Sequence, residues 1–418
     1  MSSPSSPKVL LASSPDGPVT AFDALTGTVL GRFNGGQSPR SGLALAGKSL
    51  IATSHVSLDT NSGSVYLHNW WSSTAFCYVP IQEPVAPLIA TLDGSYLFCG
   101  GLSGHVHSLA LPSCDHLFSF PAHSSPVSCF SINDDGSLLL TGGDDGTISV
   151  FPILSLFDST SRHSAMCRLA GHASAVTAIS VGMGGSRSTA LSCSLDFTCK
   201  FWSLGHGSLM RTVVFPCMIW SVTMNSTESQ FYAGGSDGHV YSMYLKIDKR
   251  QSRRVSELAD PAKWEPGHGA AVTAVAMVNA GQHLVSASED GCIRVWCAES
   301  KRSVRCFWNE QGRSISDLVV ARRVMYSGGG GGFKGECQRH DFDGLSSEFS
   351  SREISRPVKE VSEMEETLKV TVKDRKRAVE TLEAAIETYQ RLLVLILKEA
   401  NGGSGTNSNS NIKDSTED

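Results

Sequence analysis

Two short segments of the sequence contain residues that could do chemistry, and neither set is complete. The glycine run Gly328–Gly332 precedes Phe333-Lys334-Gly335, whereas a phosphate-binding loop needs Gly-Lys-Ser/Thr at the start of a helix. His105 and His107 lie two residues apart and so face the same side of a strand, but no further ligand is spaced to complete a metal site. The sequence therefore predicts no catalytic residue, no cofactor and no metal ion, and the protein is predicted not to be an enzyme.

The 12 cysteines are scattered, and their spacing argues against a zinc or redox motif. No Cys-x-x-Cys pair occurs, and the closest pairs are Cys193 with Cys199 and Cys292 with Cys297. Zinc ribbons and thioredoxin-like sites both need the shorter spacing. The apolar run Val9–Ala12 is too short for the core of a signal peptide. We therefore predict a soluble protein of a reducing compartment, the cytosol or the nucleus.

The composition is that of a folded chain with no general affinity for nucleic acid. The 418 residues include 18% charged and 41% hydrophobic residues, and the net charge is −5. This balance favours a folded core over general disorder. A slight negative charge gives the whole chain no attraction to nucleic acid or anionic membranes, so any RNA contact would need a local basic patch. The longest apolar run, Leu392–Leu397, is far shorter than the ~20 residues that span a bilayer, and no membrane partner is predicted.

An internal repeat of alternating apolar runs around a polar turn decides the predicted architecture. Its seven turn positions lie 41 to 53 residues apart: Gly17, Gly63, Gly104, Gly146, Phe197, Gly238 and Gly291. Glycine favours hairpin turns because it adopts positive φ without steric cost. A period in the forties with such turns is typical of propeller blades, which bury their faces by stacking on their neighbours. We predict an all-β fold, a β-propeller over 8–342, after a disordered N-terminus over 1–7.

The closure of this ring is the open point of the prediction. The first repeat begins at Lys8 without an innermost strand before it. Ser314–Ala321 could supply that strand from the far end, which would protect the sheet edges and give seven blades. Arg322–Phe342 also has the pattern of a hairpin, so an eighth, degenerate blade remains an alternative.

The repeats resemble those of the WD40 family. The Gly-His element of that family matches Gly171-His172 and Gly267-His268, and more weakly Ala122-His123. The resemblance implies structural tetrads, in which an indole N–H donates to a hydroxyl and a histidine and an aspartate complete the chain. The matching residues are His172, Ser192, Asp196 and Trp202 in the fifth repeat, and His268, Ser286, Asp290 and Trp296 in the seventh. No Trp-Asp dipeptide occurs, and several repeats lack the tetrad.

An insertion over 246–266 interrupts the repeats and is predicted to leave the ring as an exposed loop. Its cationic residues form a candidate basic patch that could contact RNA phosphates or serve as a nuclear import signal. They are Lys246, Lys249, Arg250, Arg253 and Arg254. A solvated loop without a ligand is the alternative.

After a linker over 343–356, the strand pattern gives way to helix composition over 357–400, and a polar tail over 401–418 is predicted to be disordered. A heptad that starts with Val358 at position a continues for about six repeats, and only Glu365 and Arg375 interrupt it. This pattern favours a coiled coil and a homodimer, with packing of the helix on the propeller as the alternative. The uninterrupted seam, predicted to self-associate, is Val379, Leu382, Ile386, Tyr389, Leu393 and Ile396.

Within the WD40 family the chain is similar to one branch, that of WD-repeat protein eighteen and its yeast counterpart named for processing of the second internal transcribed spacer. The segments KVLLASSPDGPVTAFDALTGTVL and NDDGSLLLTGGDDGTISVF and the helical C-terminus carry this resemblance, which is strongest to plant members. It implies a non-enzymatic scaffold in a nuclear complex for large ribosomal subunit maturation and pre-rRNA spacer processing, with a role in meristem growth. The implied partners are protein subunits of that complex, with direct or indirect rRNA contact left open. The implied location is the nucleolus and nucleoplasm, and a cytoplasmic pool is left open as well.

The alternative function is that of a substrate receptor of a cullin ubiquitin ligase. Such receptors carry Trp-Asp-x-Arg at the end of a blade. Here the matching segments read Trp202-Ser203-Leu204-Gly205 and Trp296-Cys297-Ala298-Glu299. Both lack the aspartate and the arginine, which disfavours this alternative.

Overall fold

Short antiparallel strands joined by tight turns make up the described part of the chain. The computed structural model describes residues 8–35, 38–47, 50–57, 62–158, 163–245, 260–309 and 312–322. The strands form seven sheets of four strands each. The first strands of successive sheets contact one another in turn, and the last contacts the first, so the sheets surround a central axis. The predicted seven-bladed β-propeller is confirmed.

The blades are numbered along the chain, and the strands of each run from the axis outwards. Blade 1 consists of β28 (Asp317–Arg322), β1 (Lys8–Ser14), β2 (Gly17–Asp23) and β3 (Val29–Phe33). Blade 2 consists of β4 (Leu43–Ala46), β5 (Leu50–Ser57), β6 (Ser62–Asn69) and β7 (Ala75–Ile81). Blade 3 consists of β8 (Val85–Ala90), β9 (Tyr96–Gly101), β10 (His105–Ala110) and β11 (His116–Pro121). Blade 4 consists of β12 (Val127–Ile132), β13 (Leu138–Gly143), β14 (Thr147–Pro152) and β15 (Cys167–Ala170).

The remaining three blades follow the same order. Blade 5 consists of β16 (Val176–Val181), β17 (Thr189–Ser194), β18 (Thr198–Ser203) and β19 (Ser208–Val214). Blade 6 consists of β20 (Ile219–Met224), β21 (Gln230–Gly235), β22 (Val240–Tyr244) and β23 (Ala262–Lys263). Blade 7 consists of β24 (Val272–Val278), β25 (His283–Ser288), β26 (Cys292–Cys297) and β27 (Ser303–Trp308).

Blade 1 is assembled from both ends of the ring, as the sequence predicts. Strand β28 pairs with β1 in antiparallel register from Lys8↔Arg322 to Ser13↔Asp317. The Ser13 and Ser316 hydroxyls lie 2.9 Å apart beside this pairing. The strand therefore starts three residues later than the predicted Ser314, and it removes the free edge that β1 would otherwise present. The predicted hairpin of an eighth blade continues past 322 and lies outside the described residues.

The turns between the second and third strands of the blades fix their spacing. Gly146 has a φ of +73°, and an added Cβ would lie 2.6 Å from the His172 carbonyl oxygen of the next loop. A side chain at this position would meet both backbone strain and a clash. Phe197 takes the equivalent turn of blade 5 with a φ of 65°, so this turn adopts the left-handed conformation without glycine.

The hydrophobic core lies between neighbouring blades. The second strands β13 and β21 are buried throughout, whereas the outermost strands β11 and β19 are largely exposed. Between blades 5 and 6, the rings of Phe201 and Phe231 meet edge to face with centroids 5.3 Å apart. Each buried side chain of this size contributes ~1.5–3 kcal/mol before entropic costs, so adjacent blades stabilise each other.

Helices play a minor part in the described residues. They are α1 (Ile153–Leu156) and two 3₁₀ turns over Gly185–Arg187 and Asn279–Gly281. None of these helices has the length and the apolar character that a membrane span requires.

The predicted loop over 246–266 needs a correction at its C-terminal end. Ala262–Lys263 forms β23, the outermost strand of blade 6. Trp264 is 1% exposed, and its indole N–H donates to the Ser242 hydroxyl at 2.9 Å. Burial of this large side chain draws the segment onto the blade, so 260–266 belongs to the ring.

Several predictions fall outside the described residues. They are the disordered N-terminus over 1–7, the basic patch from Lys246 to Arg254, the linker over 343–356, the helix over 357–400 and the tail over 401–418.

Candidate functional site

The four residues that the WD40 resemblance assigns to the fifth repeat are brought together in blade 5. The Trp202 indole N–H donates to the Ser192 hydroxyl at 2.8 Å, and His172 Nε2 lies 2.8 Å from the same oxygen. His172 Nδ1 lies 2.9 Å from Asp196 Oδ2. The chain of hydrogen bonds therefore runs from β18 through β17 to the loop before β16 and back to the turn after β17.

Burial and hydrogen bonding hold this chain in one protonation state. Burial lowers the pKa of His172, although Asp196 favours its charged form, so the imidazole is neutral. Burial alone would raise the pKa of Asp196, but the Thr198 hydroxyl and the Ala173 amide, together with His172, hold it below its usual value. Ser192 is fully buried and already hydrogen-bonded, so its hydroxyl is not accessible to a substrate. The arrangement is suited to fastening a loop to a blade.

Blade 7 brings its four assigned residues together but leaves one link open. The Trp296 indole donates to the Ser286 hydroxyl at 2.8 Å, and His268 Nε2 lies 2.7 Å from that oxygen. Asp290 accepts a hydrogen bond from the Gly269 amide at 2.7 Å. His268 Nδ1, however, lies 3.9 Å from Asp290 Oδ1, beyond hydrogen-bond distance.

Blade 4 contains a partial version of the same arrangement. His123 Nε2 lies 2.8 Å from the Thr141 hydroxyl, and His123 Nδ1 lies 3.2 Å from Asp145 Oδ1. Phe151 occupies the position at which blades 5 and 7 have tryptophan. Thr141 pairs with Ser149 across the strands, and Phe151 follows Ser149 by two residues, as Trp202 follows the residue that pairs with Ser192. Blade 4 therefore lacks the indole donor. The Ala122-His123 dipeptide was the sequence signal for this network.

In blade 3 a different set of polar residues replaces the tetrad. Glu83 accepts hydrogen bonds from the Ser103 amide at 2.7 Å and from His107 Nε2 at 2.7 Å. His107 Nδ1 lies 2.8 Å from the Ser119 hydroxyl, and His116 Nε2 lies 2.9 Å from the same oxygen. The network links the loop before β8 to the outermost strand β11. The residue spacing predicts a pairing of His107 with His105, whereas the partner of His107 is Glu83, which lies 24 residues earlier in the chain.

In blade 6 a cysteine thiol and a tyrosine hydroxyl contact the aspartate of the turn. The Tyr241 hydroxyl donates to Asp237 Oδ2 at 2.7 Å, and the Cys217 thiol lies 3.4 Å from Asp237 Oδ1. The turn reads Gly234-Gly235-Ser236-Asp237-Gly238 and so matches the Gly-x-Ser-x-Gly pattern of hydrolases. It joins strand β21 to strand β22, whereas a nucleophile elbow joins a strand to a helix, and it therefore forms a hairpin.

A charged side chain that the repeat pattern did not predict lies in the central channel. Arg40 reaches from the segment before β4 to the carbonyls of Trp220 and Thr273 at 2.6 and 3.2 Å. It lines a cavity of about 210 Å³ together with Asp317 of β28. Burial lowers the pKa of Arg40 to about 10, although Asp317 favours its charged form, so it remains a cation at neutral pH.

The outer surface of blade 2 exposes a group of aromatic side chains. Trp71, Phe76 and Tyr78 are 59%, 46% and 56% exposed. Tyr78 packs on Tyr66, with ring centroids 5.2 Å apart. Exposed aromatic residues in a group are typical of protein–protein contacts, so this aromatic surface of blade 2 is a candidate interface. The predicted basic patch and self-association seam lie outside the described residues.

Comparison with known proteins gives matches at the level of repeats and of the whole ring. The family model described as "WD domain, G-beta repeat" matches residues 114–151, 164–203 and 262–297. The crystal structure of the computationally designed Ika8 protein is similar with a TM-score of 0.53 at 20% identity, over 73% of this chain and 85% of that one. At this identity the likeness concerns the fold alone.

Three relatives illustrate the range of similar sequences. "Protein ROOT INITIATION DEFECTIVE 3" of Arabidopsis thaliana is 30% identical over 324 residues, 76% of this chain and 73% of the relative. Human "WD repeat-containing protein 18" is 28% identical over 67% of this chain and 65% of its own length. "Pre-rRNA-processing protein crb3/ipi3" of Schizosaccharomyces pombe is 23% identical over 52% of this chain and 49% of its own. The chain thus spans about half the length of the fission yeast relative.

Proposed function

The chain belongs to the WD40-repeat family, with ROOT INITIATION DEFECTIVE 3 and WD repeat-containing protein 18 among its relatives, and from this membership we propose that it is a scaffold subunit in large ribosomal subunit maturation. In this proposal it acts in the nucleus, within a complex that processes the spacer of the pre-rRNA, and it catalyses no reaction itself.

The main support for the proposal is the similarity to the fission yeast relative, whose name describes it as a pre-rRNA-processing protein. The root-initiation wording in the name of the plant relative supports a role in cell proliferation and meristem growth.

The described side chains support a scaffold better than an enzyme. In blade 5 the hydroxyl and the imidazole that could act as nucleophile and base are buried within one hydrogen-bonded chain. The aromatic surface of blade 2 has the composition of protein interfaces, in which a few aromatic residues supply most of the binding energy. Protein subunits of the maturation complex are therefore the proposed partners.

Two parts of the proposal rest on the sequence alone. The seam from Val379 to Ile396 is proposed to join two copies of the chain, and the basic patch from Lys246 to Arg254 is proposed to contact rRNA phosphates. Both segments lie outside the described residues.

Conditional depletion in cells of the source organism tests this function. The expected result is accumulation of pre-rRNA that extends into the second internal transcribed spacer, measured by northern hybridisation with a spacer probe. A rescue copy of the wild-type chain provides the control. Normal precursor levels, with accumulation of proteins that have lost their ubiquitination instead, would support the cullin-receptor alternative and overturn the proposal.

A further inference from the structure

Blade 7 departs from blades 4 and 5 at one position of the turn before its third strand. In blades 4 and 5 the hydroxyls of Thr147 and Thr198 bond to the aspartate two residues earlier, at 2.7 and 2.6 Å. The residue that follows Asp290 by two in blade 7 is Cys292. A thiol is a weak hydrogen-bond donor but a strong metal ligand once it loses its proton.

The histidine beside this cysteine has a buried nitrogen without a partner. The His268 side chain is 0% exposed, and its Nδ1 atom has no hydrogen-bond partner. The distance from this nitrogen to the aspartate is 3.9 Å, compared with 2.9 Å in blade 5 and 3.2 Å in blade 4. An unsatisfied buried polar atom is costly, so it calls for an explanation.

The hydrogen bonding of His268 suits a ligand role. Nε2 lies 2.7 Å from the Ser286 hydroxyl, which also accepts the Trp296 indole N–H. If Nε2–H donates to this oxygen, the free lone pair of the ring is on Nδ1. The hydrogen bond to Ser286 then fixes the orientation of the ring, as a hydrogen-bonded partner does for metal-bound histidines.

Three potential donor atoms converge at this place, and a fourth lies next to one of them. The ligand atoms of His268, Asp290 and Cys292 lie within 4.8 Å of one another. The Cys306 Sγ atom of the neighbouring strand β27 lies 2.8 Å from the Cys292 Sγ atom. Nitrogen, carboxylate and thiolate donors in a group of four are the set that zinc binds in tetrahedral sites.

We propose that blade 7 binds a zinc ion through His268 Nδ1, a carboxylate oxygen of Asp290, and the Cys292 and Cys306 thiolates. The two thiols release their protons to solvent when the ion binds. Two thiolates and one carboxylate with Zn²⁺ leave one net negative charge. Arg294, the cross-strand neighbour of Cys306, provides a cation beside it.

The sulfur atoms must separate slightly to hold the ion. At about 2.3 Å from zinc, two thiolates lie about 3.8 Å apart along a tetrahedral edge. Cys306 is exposed on the outermost strand, so its side chain is able to rotate to a position that contacts the ion. Cys292 is buried and sets the position of the ion. The competing outcome for two such thiols is a disulfide, which needs an external oxidant.

Titration of the full-length, reduced and metal-stripped protein with Co²⁺ tests the proposal. The expected result is one equivalent of cobalt with a thiolate-to-cobalt charge-transfer band, which added Zn²⁺ abolishes by displacement. Cys292→Thr restores the residue of blades 4 and 5, so it is expected to fold and to lose at least tenfold in cobalt affinity. Cys297→Ser, at the other end of β26, is the matched control and should bind cobalt like the wild type.

Three results would overturn the proposal: no charge-transfer band in the reduced wild type, equal cobalt affinity in Cys292→Thr and wild type, or a band that Cys297→Ser removes. The thermal melting of each variant without metal is measured in parallel, so that misfolding is separated from loss of a ligand. Intact-mass analysis of the protein before reduction detects a disulfide between the two thiols. A disulfide combined with no cobalt binding after reduction assigns the pair to redox chemistry and likewise rejects the zinc site.

Discussion

Arg40 and Trp220 are 180 residues apart in the chain, and their side chains stack at the centre of the ring. The guanidinium carbon lies 4.1 Å from the centre of the indole ring. The same guanidinium donates to two carbonyls, of Trp220 and of Thr273. Because Arg40 precedes blade 2 and these carbonyls belong to blades 6 and 7, the side chain ties opposite parts of the ring together.

We expect Arg40→Met to lower the free energy of unfolding by ~2–3 kcal/mol. The variant loses the charge-assisted hydrogen bonds and the contact with the Trp220 ring, and it leaves the two carbonyl oxygens without this donor. Equilibrium unfolding in urea measures this change. Arg302→Met, at an exposed position, is the control and should stay within ~0.5 kcal/mol of the wild type. Equal losses in the two variants would mean that Arg40 does not join the blades.

Asp317 should make stability depend on pH in the acidic range. Burial raises its pKa to about 6, although the Leu318 amide and Arg40 favour the charged form. An aspartate in the unfolded chain has a pKa of about 3.9. Between these values the folded state holds more protons than the unfolded state, so the free energy of unfolding falls as pH rises from about 4 to about 6.

Asp317→Asn removes this titration but keeps a side-chain oxygen that can accept the hydrogen bond from the Leu318 amide. We expect the variant to gain stability relative to wild type as pH rises from 4 to 7, with the largest difference at pH 7. Urea unfolding at several pH values measures it. Parallel stability curves for the two proteins would contradict the raised pKa.

The architecture was predictable because local turn chemistry repeats along the chain. Positive φ at Gly104, Gly146, Gly238 and Gly291 recurs at the predicted turns, and the missing first strand required a closing strand near Ser314. Arg40 was not predictable, because its partners come from blades far away in sequence. Only the ring topology brings them to its side chain.

Trp202→Phe should destabilise the propeller by ~1–3 kcal/mol, because it keeps most of the apolar area but deletes the donor to Ser192. Thermal and urea unfolding measure the loss. Trp308→Phe, at a position 59% exposed, is the control for the general effect of losing an indole. A Trp202 variant that melts like the wild type but no longer retains partner proteins would assign this residue to an interface.

The aromatic surface of blade 2 should contribute to partner binding. Phe76→Ser combined with Tyr78→Ser removes two exposed rings, so we expect little change in melting but at least tenfold less of the co-purified subunits. Quantitative mass spectrometry after affinity purification from nuclear extract measures this. Leu154→Ser, at a position 85% exposed on blade 4, is the matched control and should retain the subunits. Full retention by the double variant would place the interface elsewhere.

The chemistry of blade 7 shows why residue spacing was a poor guide to sites in this fold. Cys292 and Cys306 lie on neighbouring strands, 14 residues apart, and their sulfurs meet across a hairpin. The Cys-x-x-Cys pattern identifies only ligands that lie close along the chain, so it does not include this pair. Glu83 was missed for a related reason, since its partner His107 is two strands away in the blade.

The last prediction concerns self-association through the seam from Val379 to Ile396, which lies outside the described residues. Six heptads at ~1.5 Å per residue would give a helix of roughly 60 Å, much longer than a blade strand, so most of its apolar seam would stay in water unless a second helix covered it. Ile386→Asp with Leu393→Asp would place two charges per chain in that seam, which it cannot tolerate. We expect the wild type to be a dimer by light scattering at tens of micromolar, and both the double variant and a truncation ending at Arg356 to be monomers with an intact propeller.

Thr388→Asp with Arg391→Asp adds two aspartates outside positions a and d, so this control should remain a dimer. A wild type that runs as a monomer would show that the helix packs on its own ring or on a different protein.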